Sequence, residues 1–303
     1  GCYGNPEFRT PNLDQLAATG TRFASAYACT TDVAESRAIL LTGRMSAGGA
    51  SIPDHLGRNG YACGAADSTA KACEFLDRQE AGKPFFLAAG YVDAQPPAQK
   101  YLDLYTQTKF QRPEEILPAV KSGAAAASAL DAEIAVLLTR LHDRKLTDST
   151  LVLFCGLNGR PLGREGMYDE LVRVPMMVSW LGRTPVQNLR PELVSLCDVF
   201  PSVCEAAGAP PPKDQKLSGR SMLAVARNQP LPKKKPWRNL VFARHGKTEM
   251  VRDARYKLVL GPNQLFDLTT DAGEKINQYE NAEFVSVRDR LAGELMNWRK
   301  QNA

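Results

Sequence analysis

The sequence predicts an α/β fold: a largely parallel central sheet flanked by helices, completed by a small antiparallel sheet and a closing helix near the C-terminus. Three observations carry this expectation. Phe85–Val92 and Leu151–Cys155 are near-continuous apolar runs of strand length, the pattern of strands buried on both faces of a parallel sheet. Helical periodicity lies between them, longest over Ala124–Lys145, where Leu130, Ile134, Leu137, Leu138 and Leu141 mark one face. Strands alternating with helices in this way build a sheet covered by helices. Finally, Leu240–Ala243, Glu249–Arg252 and Tyr256–Leu260 follow one another at meander spacing, with Gln264–Leu268 as a further extended piece.

Taken in order, Thr10-Pro11-Asn12 reads as an N-cap region with Pro early in the first turn. Leu13, Leu16 and Ala17 then give a helical face that Gly20 ends. Thr21–Tyr27 is a short β segment, and Ser36–Thr42 a second helix stopped by Gly43. The polar stretch Ala28–Glu35 between them leads into a helix N-terminus, where backbone N–H groups can hold an anion. Ile52–Asn59 is predicted helical, Tyr61–Ala66 extended and Thr69–Gln79 helical. Arg173–Trp180 is a further strand and Val194–Gly208 a further helix. The chain closes with an amphipathic helix from about Phe284 to Trp298.

Composition excludes several classes. At 303 residues, 44% apolar and 23% charged, the chain is neither disordered nor fibrous. No apolar run approaches the roughly 18 residues of a membrane helix, so no transmembrane segment is expected. Thirty-eight basic residues against 33 acidic ones give +5, too dilute and too unpatterned for a nucleic-acid surface. Seven Cys occur with no C-x-x-C pair, against zinc ribbons and thioredoxin motifs, and three His are too few for a His-rich metal site. The chain opens at Gly1 without Met or a signal segment and reads as a processed, trimmed or incomplete product. Proline-rich breaks at Ala209–Lys213 and Pro230–Trp237 suggest an α/β core over 1–212 and a C-terminal subdomain over 213–303.

Several segments together resemble the formylglycine-dependent sulfatases of the alkaline-phosphatase-like superfamily. Gly1-Cys2-Tyr3-Gly4-Asn5-Pro6 and Thr10-Pro11-Asn12-Leu13-Asp14 look like the stretch after that family's first strand. Ser36-Arg37-Ala38 with Leu40-Leu41-Thr42-Gly43-Arg44 is similar to the end of its signature, C-x-P-S-R-A-x-L-L-T-G-R. Tyr168 with Arg173-Val174-Pro175 matches Y-E-G-G-x-R-V-P, and Arg255-Tyr256-Lys257-Leu258 and Leu265-Phe266-Asp267-Leu268 match later landmarks. The resemblance implies the sulfatase fold over nearly the whole chain. It also implies that the first strand would lie upstream of Gly1 and that the region between Arg44 and Phe85 is shortened.

What the resemblance implies for chemistry is an aldehyde-hydrate nucleophile made from Cys or Ser, a calcium ion held by oxygen ligands, and cations on the sulfate. Val33 stands at the nucleophile position and Glu35 at that of the signature Pro. An isopropyl group cannot become formylglycine. Cys29 lies four residues too early and reads as a thiol packed beneath the loop. The family's Asp-Asn metal pair is Leu157-Asn158 here, which leaves Asn158 as the single surviving ligand position, or as a capping residue before Gly159. No cofactor is therefore expected. The G-K-W-H segment falls on Ala66–Thr69 without Lys or His, and A-P-H-x-P on Ala94-Gln95-Pro96-Pro97 without His.

Two cations persist as anion-binding candidates, Arg37 and Arg164, unless Glu35, Glu165 or Asp169 neutralises them. Arg37 opens a helix, where a positive charge is unfavourable without a compensating carboxylate, so Glu35 or another acid is expected beside it in a closed pocket. These losses point to a pseudoenzyme on a hydrolase fold, a structural or interaction subunit with protein partners in a larger assembly. Two alternatives stand. One is an active sulfuric- or phosphoric-ester hydrolase with Thr30, Thr31 or Asp32 as nucleophile; the other is a non-hydrolytic anion-binding module.

Overall fold

The computed structural model describes residues 1–91, 97–160 and 164–302, apart from the side chain of Asn302. Val92, at the end of the expected Phe85–Val92 run, and Ala94, Gln95 and Pro96 lie outside the described residues.

Helix α1 (Pro11–Ala18) forms where expected, but Thr10 makes no side-chain cap. Asp131 takes that role from far along the chain, accepting from the Leu13 amide (2.7 Å), the Asn12 amide (3.3 Å) and Asn12 Nδ2 (2.7 Å). A buried carboxylate there satisfies orphan N–H donors and complements the helix dipole. Strand β1 (Thr21–Tyr27) follows. Helix α2 (Val33–Thr42) starts three residues earlier than the expected Ser36, because Asp32 caps it by accepting from the Glu35 amide at 2.7 Å. Gly43 ends it with φ 67°, a left-handed conformation that glycine adopts without strain.

Helix α3 (Ile52–Arg58), strand β2 (Ala62–Ala66), helix α4 (Thr69–Asp77) and strand β3 (Phe85–Ala89) come next, and β2 pairs with β3 in parallel from Ala62↔Phe85 to Ala66↔Ala89. A short helix α5 (Gln99–Asp103), not foreseen in the sequence, precedes the long helix α6 (Leu117–Asp143). Helix α6 begins at Leu117 rather than Ala124, and its buried residues are Val120, Ala124, Ala125, Ser128, Asp131 and Leu141. Of the expected face only Leu141 is buried, and the other four are half-buried. Small residues permit close packing, and the polar ones have partners: Ser128 Oγ donates to the Arg9 carbonyl and meets the Tyr105 hydroxyl, both at 2.7 Å.

Strand β4 (Val152–Cys155) leads to the short helix α7 (Asp169–Val172) and strand β5 (Met176–Ser179). The expected strand Arg173–Trp180 is trimmed to β5: Arg173 keeps only an isolated bridge to Tyr27, and Pro175 has no N–H for a ladder. Strand β6 (Asn188–Ser195) takes the first residues of the expected Val194–Gly208 helix. A 3-10 turn (Leu196–Asp198) follows, then helix α8 (Val199–Ala206). The break falls there because the Ser195 amide donates to Asp198 Oδ2 at 2.8 Å, turning the chain before the helix starts. Helix α9 (Leu223–Ala226) precedes the meander β7 (Val241–His245), β8 (Thr248–Arg252), β9 (Tyr256–Leu260) and β10 (Gln264–Asp267), and α10 (Val285–Asn302) closes the chain.

Strands β4-β5-β1-β6 form one sheet, in which β1 runs antiparallel to β5 with Thr21 opposite Val178. Strands β10-β9-β8-β7 form the second, wholly antiparallel sheet. The chain divides into two compact units, Gly1–Arg22 with Pro53–Leu153 and Met177–Asn188, and Phe23–Ile52 with Phe154–Met176 and Leu189–Ala303. Residues 1–212 are thus shared between both units, whereas 213–303 lie wholly in the second. The first unit packs α4 against β2 and α1 against α6. The second has a core of Tyr27, Leu171, Val172, Leu193, Val241, Met250 and Val259, with Trp298 of α10 stacked on Phe242 at 5.2 Å. Every candidate site residue belongs to this second unit.

Candidate functional site

Val33 is the first residue of α2 and is 53% exposed, so the position where the resemblance expects a nucleophile presents an isopropyl group to solvent. The loop before it is fixed at each step. The Ala28 amide donates to the Val172 carbonyl at 2.7 Å, and the Cys29 carbonyl accepts from the Arg244 amide at 2.8 Å. The Thr30 carbonyl accepts from Asn158 Nδ2 at 2.7 Å and from Ser36 Oγ at 3.4 Å. Thr30 is fully buried; its hydroxyl donates to Glu35 Oε2 at 2.7 Å and lies 3.4 Å from His245 Nδ1. Asp32, a second alternative nucleophile, is the helix cap, and Thr31 is half-buried.

This arrangement corrects the expected Glu35–Arg37 pair. Glu35 receives the Thr30 hydroxyl, and residues two apart on a helix point to different faces. Arg37 is exposed and pairs with no carboxylate of the described residues. Among the described residues no acid neutralises it as expected.

Arg164 is occupied elsewhere, and with none of the expected acids. Its guanidinium pairs with Glu170 at 3.2 Å, donates to the Gly273 and Glu274 carbonyls at 3.0 Å each, and stacks 4.1 Å from the Tyr168 ring centroid. Asp169 instead anchors a buried ionic cluster. It accepts from Tyr27 Oη at 2.9 Å, pairs with Lys257 Nζ at 2.8 Å and lies 3.5 Å from Arg252. Lys257 is wholly buried and also pairs with Glu274 at 2.7 Å, while Glu274 Oε2 accepts from the Asp169 amide at 2.6 Å. Two cations against two anions make the cluster neutral, and burial lowers Arg252 to about 10. Among the described residues Arg37 and Arg164 share no partner.

Calcium is tested by Asn158. Its Oδ1 is buried without a hydrogen-bond partner, as a displaced ligand atom would be, but its Nδ2 is committed to the Thr30 carbonyl. The adjacent Leu157 offers no side-chain oxygen, and the described residues contain no group of three or more His, Cys, Asp or Glu able to hold a metal. One amide oxygen falls far short of the six to eight oxygens calcium takes. The donor set does not fit the ion. Asn158 also does not cap the turn before Gly159; Gly159 is required for another reason, since a Cβ there would lie 1.8 Å from the Glu170 carbonyl oxygen.

Cys29 is fully buried, as its reading as a packed thiol expects, and its Sγ lies 3.0 Å from Ser195 Oγ. Sequence reasoning missed His245, Lys257 and Glu274 as partners of this region. Their contacts reach residues 88 to 215 positions away, and no local pattern encodes that separation.

Comparisons with known proteins identify the family. The family profile described as Sulfatase matches residues 50–209, more than half of the chain, and the profile described as N-sulphoglucosamine sulphohydrolase, C-terminal, matches residues 163–301. The chain is 22% identical to an ulvan-active sulfatase of Formosa agariphila over 99% of its own length and 77% of that protein. It is 31% identical to choline-sulfatase of Rhizobium meliloti over 51% of its length, but spans only 32% of that relative. Among solved structures, BT4656, in complex with its substrate D-glucosamine-2-N,6-O-disulfate, superposes with a TM-score of 0.86 at 18% identity, covering 99% of this chain and 94% of that one. Likeness at that identity speaks for the fold. The family profile over more than half of the chain shows the family: the chain belongs to the sulfatase family.

Proposed function

We propose that this sulfatase-family chain does not hydrolyse sulfate esters by the formylglycine route and acts as a structural or interaction subunit of a larger assembly. The observation that carries the reading is the pair Val33 and Asn158. The first cannot be oxidised to an aldehyde, and the amide of the second, at the family's metal position, holds the loop in front of it. Thr30 supports the reading rather than the hydrolase alternative. A buried hydroxyl donated to Glu35 has a base beside it but no open face for a substrate. The test is an assay of aryl sulfates and phosphate esters with calcium and a formylglycine-generating enzyme. The expected rate is that of buffer alone. Turnover that is lost in Cys29→Ala or Thr31→Ala would overturn the proposal, since removing a true nucleophile costs orders of magnitude.

One observation favours the anion-binding reading, the exposed and unpaired guanidinium of Arg37 on the first turns of α2. Asp32 and Glu35 flank the same helix start and weaken its field. A sulfated amino sugar, the substrate class of BT4656, is the probe to titrate. Millimolar or weaker affinity unchanged in Arg37→Ala keeps the scaffold reading, whereas tight binding lost in that variant replaces it.

A further inference from the structure

We propose that the turn Lys233-Lys234-Lys235 is the docking point for an acidic, carboxylate-rich segment of a partner protein. This rests on the interaction-subunit reading above and names the chemistry of its partner. Charge is distributed unevenly along the chain. Residues 209–240 hold eight basic residues and one acidic residue, a balance of +7, whereas all other residues together hold 30 basic and 32 acidic, a balance of −2. The net charge of +5, dilute over the whole chain, is thus concentrated in this one stretch.

Within the stretch, arginines and lysines divide the work. Arg220 donates to the Pro236 carbonyl at 2.7 Å and its guanidinium lies 4.1 Å from the Trp237 ring centroid. Arg238 lies 5.3 Å from the same centroid and pairs with the wholly buried Asp198, which also accepts from the Arg220 amide at 2.9 Å. Trp237 Nε1 donates to the Leu193 carbonyl at 2.8 Å. These contacts anchor the segment directly after the lysines. Before it, the Lys235 amide donates to the Pro232 carbonyl at 2.8 Å and closes a tight turn, with Pro230, Pro232 and Pro236 fixing φ around it. All three lysines of the turn are exposed, and none pairs with a carboxylate of the described residues. Three like charges are therefore held close together on a braced turn, which loses little conformational freedom when an anion arrives.

The surroundings of the turn select the kind of anion. Trp237 is the one aromatic residue of 209–240; two guanidiniums cover its ring and its N–H is already donated, so it offers no face on which a base or a sugar ring could stack. No large hydrophobic residue of the stretch is exposed, so a lipid surface would find charge there without an apolar anchor. Screening confines the field of the lysines to about 8 Å at physiological salt. A short run of Asp and Glu meets the turn alone, whereas a bilayer or a long polyanion also meets the rest of the chain, where acids outnumber bases. Charge complementarity with a short acidic peptide segment is the match that remains.

The test is the fluorescence anisotropy of a labelled, short oligoglutamate peptide titrated with the full chain at low and at physiological salt. The chain is expected to bind it, with an affinity that falls as salt rises. Combining Lys233→Ala, Lys234→Ala and Lys235→Ala should weaken binding about tenfold or more and leave thermal unfolding unchanged, because the three side chains are exposed. A second variant removes the same charge elsewhere, by Lys109→Ala, Lys121→Ala and Lys275→Ala, all exposed, and should stay within about twofold of the parent. No binding by the parent chain, or equal weakening in both variants, overturns the proposal. So does tighter binding, at physiological salt, of a heparin fragment or of phosphatidylserine vesicles that is lost in the 233–235 variant, which gives the turn to a glycan or a lipid surface. Ester turnover in the assay above would refute the subunit reading and leave peptide binding measurable, whereas no peptide binding and no turnover refutes the docking turn alone.

Discussion

Asn158 donates its side-chain amide to the backbone carbonyl of Thr30 at 2.7 Å, while its own carbonyl oxygen is buried without a partner. A residue type suited to metal ligation thus fastens the loop that would present a nucleophile. Asn158→Asp decides between the two roles. It removes the Nδ2 donor and sets a carboxylate against the Thr30 carbonyl, so stability should fall by about 2 kcal/mol by denaturant titration. A variant that gains stability on adding millimolar calcium, as a ligand position would, contradicts the structural role.

Rebuilding the signature should not rebuild the enzyme. Val33→Cys with Glu35→Pro restores the C-x-P-S-R pattern at the exposed start of α2. Mass spectrometry after co-expression with a formylglycine-generating enzyme should detect the aldehyde, while aryl sulfate turnover stays at background for want of a metal cage. Sulfatase activity from these two changes alone would show that the remaining site is competent.

Glu35 and Arg37 should separate in their cost. Glu35→Ala leaves the buried Thr30 hydroxyl without its acceptor and should destabilise by roughly 1–2 kcal/mol. Arg37→Ala removes an exposed side chain with no carboxylate partner and should stay within about 0.5 kcal/mol. Equal losses in the two denaturation curves would mean that Arg37 holds the loop as well.

The Asp169 cluster is the most sensitive point. Lys257→Met keeps the length of the side chain but strands Asp169 and Glu274 beside each other in the interior. The cost should be about 3–5 kcal/mol, because breaking a buried pair leaves an uncompensated charge. The double variant Lys257→Met with Glu274→Met should recover much of it; a double variant as unstable as the single one would refute the pairing.

Alkaline pH should weaken the fold. Burial pushes the Cys155 and Cys204 thiols up to about 12 and about 11 from an ordinary 9.0, so above pH 9 the unfolded chain loses protons that the folded chain keeps. Their contribution is complete below that value and declines as pH rises. Arg252, lowered to about 10, acts in the opposite sense only above pH 10. Urea midpoints between pH 8 and pH 10 should therefore fall, and fall less in Cys204→Ala. A midpoint that rises with pH over this range is the contrary result.

Local chemistry explains why so many elements could be read from the sequence. Apolar runs set β3 and β4, Gly43 ends α2, and the alternation in 240–268 gives the meander; each depends on residues within a few positions. That Val33 carries no nucleophilic atom follows from side-chain identity alone. Tertiary structure decided everything that depends on distant partners. Asp131 caps α1, the face of α6 that is buried is the small one, and Glu35 turns to Thr30 rather than Arg37. Arg164 goes to Glu170, and Asn158 binds a carbonyl 128 residues away. Burying a polar group demands a partner, and which partner is near is a property of the fold rather than of the neighbouring sequence.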